Sequence, residues 1–159
     1  ENMYILKSEI QKLAYYKGKN KTVTKEDIDK CSCKIPENKV FEMIDNILGG
    51  NIKKAGERFA ELKLLKEEPI MILGAIYSKY STFRREKHMS SLLSSREIAA
   101  KTNQKEYFVN MHLKQIKNLS LEKIDEILEK CQEADYRIKS GFTSDAWSEL
   151  EILLAKMCS

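Results

Sequence analysis

A run of apolar residues at helical spacing, interrupted twice by helix-ending residues, constrains the fold of this chain more than any other feature. Between residues 38 and 75 apolar side chains recur every three or four positions, which is the spacing of one face of an α-helix. Gly49-Gly50 and Pro69 divide this stretch, since glycine favours the end of a helix and proline its first turn. Three amphipathic helices are therefore predicted, with Asn51 as the N-cap of the second. The apolar positions of the first two are Val40, Phe41, Ile44, Ile47, Leu48, Ile52, Ala55, Phe59, Leu62 and Leu65.

The composition favours helices throughout the chain. The 159 residues include only 2 Pro and 6 Gly, the residues that most often interrupt helices. Apolar residues make up 42% and charged residues 33%, which is typical of amphipathic helices in water. Because no apolar run approaches the roughly 20 residues needed to span a bilayer, no membrane segment is expected. We predict an all-α helical bundle of about nine helices.

Side chains that can cap a helix mark several further helix starts. A Ser or Thr hydroxyl can accept a hydrogen bond from an N–H group of the first turn, and an acidic residue three positions later can complete a capping box. The predicted starts are Thr24 with Asp27, Ser94 with Glu97, Ser120, and Thr143 or Ser144 before the last helix. The side chains predicted to face inward include Leu6, Ile10, Leu13 and Ala14 in the first helix, Tyr77, Tyr80 and Phe83 after Pro69, Phe108 and Met111 after the turn at residues 102–105, and Trp147 near the end.

No pattern of catalytic or metal-binding residues stands out. The phosphate-binding motif G-x-x-x-x-G-K-[ST] is absent from this sequence, so ATP binding of the P-loop type is not expected. His88 and His112 have no partners at the spacing of metal ligands or catalytic triads and are predicted to be surface histidines. Cys31 and Cys33 form a C-x-C pair without a second pair of ligands, so a metal or redox site is not expected. We predict no catalytic residue, no cofactor and no metal.

The net charge of +4 is unevenly distributed along the chain. Residues 79–117 contain nine Lys and Arg against three Asp and Glu, whereas residues 118–159 contain five against nine. Such asymmetry occurs in surfaces that bind nucleic acid and in surfaces that pack against neighbours of opposite charge. The candidate contacts with DNA or with a partner protein are Lys17, Lys19, Lys21, Arg84, Arg85, Lys87 and Lys105.

Residues 94–118 predict a capped short helix, a turn and a second helix, which is the order of a helix-turn-helix. In such a motif the second helix enters the major groove, and Gln104, Lys105, Tyr107 and Asn110 would face the bases. Short helix pairs are also common in any bundle, and this turn lacks the usual glycine. A sequence-specific helix-turn-helix DNA-binding regulator is therefore the alternative function.

Short motifs in a fixed order run along nearly the whole chain. They are Val40-Phe41, Ile44-Asp45, Gly50-Asn51 with Ala55, Glu68-Pro69-Ile70, Glu97-Ile98-Ala99, Ala134-Asp135, Lys139-Ser140-Gly141 and Leu150-Glu151. In this order and spacing they resemble the delta subunit of the bacterial DNA polymerase III clamp loader. The resemblance is to the C-terminal part of such a subunit.

The resemblance implies a division of the chain near residue 36. Residues 1–36 are expected to be the last helices of the lid subdomain of an AAA+ module, and residues 37–159 the helical collar domain. Collar domains of this family pack into a ring, so the implied role in DNA replication is assembly rather than catalysis. The polymerase activity of the holoenzyme, a nucleotidyltransferase complex, would reside in another subunit.

The resemblance also implies the partners of the chain. They are the tau/gamma and delta-prime subunits through the collar, the sliding clamp through an N-terminal module that this chain lacks, and primed DNA in the assembled complex. Four irregularly spaced cysteines do not predict a disulfide framework, and no secretory signal is visible. The expected location is the cytoplasm.

Overall fold

The computed structural model of the protein describes residues 3–18, 22–25, 27 and 36–158. Eight helices occupy most of this part of the chain, and none of the residues described there forms a β-strand. The predicted all-α class is therefore confirmed. The helices are α1 (Met3–Lys17), α2 (Pro36–Leu48), α3 (Ile52–Leu64), α4 (Pro69–Met89), α5 (Ser95–Thr102), α6 (Glu106–Gln115), α7 (Leu121–Lys139) and α8 (Ala146–Cys158).

Contacts between Cα atoms divide the chain into two compact units, Glu1–Pro36 and Glu37–Ser159. In the first unit α1 ends at Gly18, whose φ of +71° is the left-handed conformation in which helices commonly end. Ile10 was predicted to face inward but is exposed. Periodicity identifies the apolar stripe of a helix but not which of its side chains a neighbouring element covers.

The predicted capping pair of the first unit is present. The backbone N–H and the hydroxyl of Thr24 both donate to the carboxylate of Asp27, at 2.8 and 2.6 Å. The Asp27 N–H donates back to the Thr24 hydroxyl at 3.4 Å. These reciprocal bonds form the capping box that the sequence predicts.

Helices α2, α3 and α4 follow the punctuation of the sequence. Gly50 has a φ of +73° directly after α2, and Pro69 is the first residue of α4, as predicted. Asn51 occupies the N-cap position of α3, but its side chain makes no capping hydrogen bond. The predicted inward face of α3 is buried at its middle and exposed at its two ends. The buried residues are Ala55, Phe59 and Leu62, and the exposed ones are Ile52 and Leu65.

The main core of the second unit is built around α4, which contacts α6, α7 and α8. Helices α2 and α3 contribute their apolar faces to the same core. Burying one large apolar side chain stabilises a fold by roughly 1.5–3 kcal/mol, so this cluster is the main source of stability. Its largest fully buried side chains are Tyr80, Phe83, Met43, Ile44, Leu62, Ile72, Ile76, Ile116, Ile124, Ile127 and Leu150.

The predicted caps of α5 and α7 are confirmed. Ser94 and Glu97 form a full capping box, in which the Ser94 N–H donates to the Glu97 carboxylate at 2.8 Å. The Ser120 hydroxyl accepts the N–H of Lys123 at 3.1 Å. A smaller core joins α5 to α6 and consists of Ile98, Ala99 and Val109, with Leu113 packed against both cores.

The start of α8 differs from the prediction. Thr143 or Ser144 was expected as the cap, but the carboxylate of Asp145 accepts the N–H of Trp147 at 3.0 Å. The hydroxyl of Thr143 is engaged with the backbone of Asp145 and cannot reach the helix. Trp147 is half-buried and packs edge-on against Phe59, with the ring centroids 5.7 Å apart. Helix α8 is thereby fixed against α3.

Candidate functional site

The basic cluster at the end of α4 contains two residues that bond within the second unit and one without an ion-pair partner among the described residues. The guanidinium of Arg84 pairs with the carboxylate of Asp125 on α7. The ammonium of Lys87 donates to the carbonyl of Ile116 at 2.9 Å, where the end of α6 leaves such groups without helical partners. Arg85 is exposed and, within the described part of the chain, has no ion-pair partner. Arg85 is therefore the member of the cluster that is available to a ligand.

Of the three candidate lysines between residues 17 and 21, the structure describes Lys17. Its ammonium lies 2.7 Å from the Asp27 carboxylate. The hydrogen bond from Lys17, followed by those from Thr24, holds the pKa of Asp27 well below its ordinary value. Lys19 and Lys21 lie outside the described residues. Contact between any of these lysines and DNA or a partner stays a prediction.

The predicted helix, turn and helix of residues 94–118 are present as α5, a short turn and α6. Asn103, with a φ of +53°, supplies the left-handed residue that a glycine would otherwise provide. Lys105 is exposed at the N-cap position of α6. Tyr107 and Asn110 are exposed as well. The exposed side chains of α6 are therefore accessible to DNA or to a partner protein.

The inward face of α6 is not the predicted one. Phe108 is 44% exposed and stacks edge-on with the exposed Tyr107, at 5.6 Å between ring centroids. Met111 is only half-buried. The buried side chains are those of Val109 and His112, one position further along. The prediction of Phe108 and Met111 as core residues is therefore wrong for Phe108 and only partly correct for Met111.

His112 belongs to a buried polar chain that the sequence did not reveal. Its Nδ1 lies 3.0 and 3.2 Å from the two carboxylate oxygens of Glu86, a residue with no exposed surface. Its Nε2 lies 3.0 Å from the ammonium of Lys79. The prediction of a surface histidine is therefore wrong for His112, although His88 is exposed. Glu86 follows the buried Phe83 by three positions, and His112 follows Val109 by three, so helical spacing places both on a buried face once that face is known.

Lys79 connects the hydrogen-bonded group of Glu86 and His112 to two aromatic rings. Its ammonium lies 5.2 Å from the ring centroid of Phe41 on α2 and 5.0 Å from that of Phe83. Burial lowers the pKa of Lys79, which the nearby Asp45 and Glu86 carboxylates partly oppose. The arrangement joins α2, α4 and α6 through charged and aromatic groups. Its polar groups bond to one another, and the arrangement serves to hold these helices together.

A groove follows the line where α4 and α7 pack side by side. It consists of two adjoining cavities of about 430 and 260 Å³ that share Tyr77. Tyr77 was predicted to be a core residue with Tyr80 and Phe83, but it is 39% exposed because it lines this groove. We call this feature the α4–α7 groove. Its α4 residues are Leu73, Gly74, Tyr77, Ser81, Arg84, Arg85 and His88.

Two kinds of feature, a metal cluster and a membrane-spanning helix, are absent from the part of the chain that the structure describes. No group of three or more His, Cys, Asp and Glu side chains in the described ranges could hold a metal. None of the helices described there is both long and apolar enough to cross a membrane. Cys31 and Cys33 lie outside the described residues.

Comparison with known proteins identifies the family. Residues 37–157 match the family described as DNA polymerase III delta subunit, C-terminal domain. The chain is 25% identical over 150 residues to DNA polymerase III subunit delta of Bacillus subtilis (strain 168), and the match covers 94% of this chain and 43% of that protein. The structure resembles the Bacillus subtilis DNA clamp loader delta protein with a TM-score of 0.77 and 25% sequence identity, over 95% of this chain and 44% of that one.

The chain therefore spans less than half the length of these two relatives. The family match covers more than half of the chain, from the beginning of the second unit almost to its end. The resemblance indicated by the sequence motifs is confirmed. This chain belongs to the DNA polymerase III delta subunit family, and residues 37–157 are its C-terminal domain.

Proposed function

We propose that this chain is the C-terminal part of a clamp-loader delta subunit and that residues 37–159 are a collar domain that assembles with other clamp-loader subunits. The family match of residues 37–157 carries this proposal. The similarity of the fold to a clamp loader delta protein supports it. Residues 1–36 are proposed to be the end of the preceding lid subdomain. The family match does not favour a helix-turn-helix regulator.

Exposed apolar side chains support a role in assembly. Leu64, Leu65 and Met71 lie exposed around the connection between α3 and α4, and Tyr107 and Phe108 are exposed on α6. Contiguous apolar patches that remain exposed in one subunit are typical of surfaces that are covered in a complex, and the rings of Tyr107 and Phe108 form such a pair with centroids 5.6 Å apart. The proposed partners are the tau/gamma and delta-prime subunits. The sliding clamp would be bound through the rest of the delta subunit. Primed DNA would be bound by the assembled complex, which acts in the cytoplasm.

Reconstitution of the complex tests this proposal. The full-length delta subunit and the chain described here are each mixed with tau/gamma and delta-prime subunits of the same organism at low and moderate salt. A stoichiometric complex on size-exclusion chromatography is the expected result for both. If neither associates and the chain instead binds duplex DNA with strong salt dependence, the proposal is wrong and the regulator is favoured.

A charge-reversal variant separates the two functions further. Lys105→Glu combined with Lys114→Glu places negative charge on α6, where a regulator would contact phosphates. We expect subunit assembly to be nearly unchanged in this variant. Loss of assembly together with loss of duplex binding would contradict the proposal.

A further inference from the structure

The α4–α7 groove is long enough to accommodate a helix of about four turns. Its α4 wall runs from Gly74 to His88, which corresponds to about 21 Å at the rise of roughly 1.5 Å per helical residue. The two helices that form it are antiparallel, since Tyr77 lies near Gln132 and Arg84 near Asp125. A third helix packs readily into the groove between two neighbouring helices.

Gly74 is the residue of the groove that is hardest to explain within this chain. Glycine in a helix interior is unfavourable relative to alanine. A Cβ atom added at Gly74 would meet no atom within 4 Å, so internal packing does not require glycine there. The groove next to it is bordered by Tyr77 and Cys131. A glycine in such a position lets the backbone of another helix approach closely.

The charges of the groove favour a protein partner over nucleic acid. Arg84 and Asp125, which both line the groove, are paired with each other. Asp135 is paired with Lys139 at 2.8 Å. Arg85, unpaired within the described ranges, remains at one end. A phosphate backbone would lie beside two carboxylates in this groove, whereas a helix with one acidic residue needs only Arg85.

We infer that the α4–α7 groove binds an amphipathic helix of a neighbouring clamp-loader subunit. An apolar side chain of that helix lies over Gly74 and Tyr77, and a carboxylate faces Arg85. The inference rests on the proposed function, because the partner is a subunit of the same assembly. It adds the surface, the type of element that binds there and the position of its acidic residue.

Two substitutions in the full-length delta subunit test the groove. Gly74→Leu fills the space over α4 while favouring the helix, and Arg85→Glu reverses the unpaired charge. The matched controls are Gly56→Leu, at an exposed helix-interior glycine of α3 that also has nothing within 4 Å, and Arg96→Glu on α5. Affinity for the tau/gamma and delta-prime subunits is measured by titration calorimetry, and circular dichroism checks that each variant is folded.

The expected result is a loss of affinity of about ten-fold or more for each groove variant, as at the centre of an interface, with both controls close to wild type. Unchanged affinity of both groove variants in a wild-type subunit that assembles would overturn the inference and leave the proposed function intact. An equal loss in the controls would also overturn it. A loss of DNA binding by Arg85→Glu without loss of assembly would show that the groove serves nucleic acid, against the inference. Failure of the wild type to assemble would overturn the proposed function and the inference with it.

Discussion

Glu86 is a carboxylate without contact with water, and His112 is its main hydrogen-bonding partner. An ionised carboxylate can only accept, so the Nδ1–H of the imidazole donates to it. The ammonium of Lys79 donates to Nε2 from the other side. A buried charge without a partner is strongly unfavourable, so these residues act as a unit.

Removal of His112 is expected to be strongly destabilising. His112→Ala leaves Glu86 buried without its partner, and the free energy of unfolding should fall by roughly 3–5 kcal/mol. Urea unfolding followed by the fluorescence of Trp147, the sole tryptophan, measures this change. The matched control His88→Ala, at an exposed position, should change stability by less than about 0.5 kcal/mol.

A double variant tests the reason for the loss. Replacing Glu86 and His112 together by Leu removes the fully buried carboxylate as well as its partner, while the Asp45 carboxylate remains near the ammonium of Lys79. The double variant should therefore be less destabilising than His112→Ala alone. Two results would contradict the stabilising role of the Glu86–His112 pair. One is an equal loss of unfolding free energy in His112→Ala and His88→Ala, and the other is a double variant that is less stable than His112→Ala.

Asp145 gives a predicted dependence of stability on pH. Hydrogen bonds from the Ser148 hydroxyl at 2.6 Å and the Trp147 N–H hold the pKa of Asp145 below its ordinary value. A lowered folded-state pKa contributes stability that is fully present above the unfolded value of about 3.9 and is lost as pH falls through the folded value. Asp145→Asn should therefore reduce the acid sensitivity of α8. Amide hydrogen exchange of α8 between neutral and acid pH measures it, and an unchanged acid profile in the variant would contradict the prediction.

At the scale of the helices, chain reversals depend on a few backbone conformations. Gly50 ends α2 with a left-handed φ that residues with a Cβ adopt only at a cost of roughly 1–2 kcal/mol. Gly50→Ala should therefore lower the free energy of unfolding by about 1 kcal/mol. Gly56→Ala, in the interior of α3 with open space around it, should raise it by roughly 0.4–1 kcal/mol. Urea midpoints that shift in the same direction for both variants would show that backbone conformation does not decide their effects.

Helix boundaries could be predicted from the sequence more accurately than helix faces. Pro69, Ser94 and Ser120 mark starts through local chemistry that needs no tertiary information. In α6, by contrast, two overlapping apolar stripes fit the helical period. The stripe through Val109 is buried only because His112, a polar residue, finds Glu86 on α4. Which stripe is buried depends on a contact between residues 26 positions apart, and the periodicity of α6 does not predict that contact.

At the scale of the molecule, both hydrophobic cores of the described residues lie within residues 40–158. The second unit should therefore fold without the first. We expect residues 37–159 alone to unfold cooperatively with a urea midpoint, read from Trp147 fluorescence, close to that of the whole chain. A midpoint that is clearly lower in the shorter chain would show that residues 1–36 support this core.

The candidate surfaces were less predictable than the fold. The basic residues at the end of α4 were identified by charge alone, but Arg84 and Lys87 are engaged within the chain, whereas Arg85 has no ion-pair partner among the described residues. This difference depends on α6 and α7. The α4–α7 groove joins residues about 50 positions apart in sequence. No local pattern in the sequence marks the groove, since Gly56 in α3 is, like Gly74, an isolated glycine in a helical pattern.

The contribution of α8 to the main core has a consequence for synthesis of the protein. Leu150, Leu153 and Met157 complete a cluster whose other members come from α2, α3, α4, α6 and α7. Chains emerge from the ribosome with the N-terminal side first, at roughly 5–20 residues per second. The part of this cluster that α8 covers therefore remains exposed until α8 has left the ribosome, which gives chaperones an interval of some seconds in which to bind it.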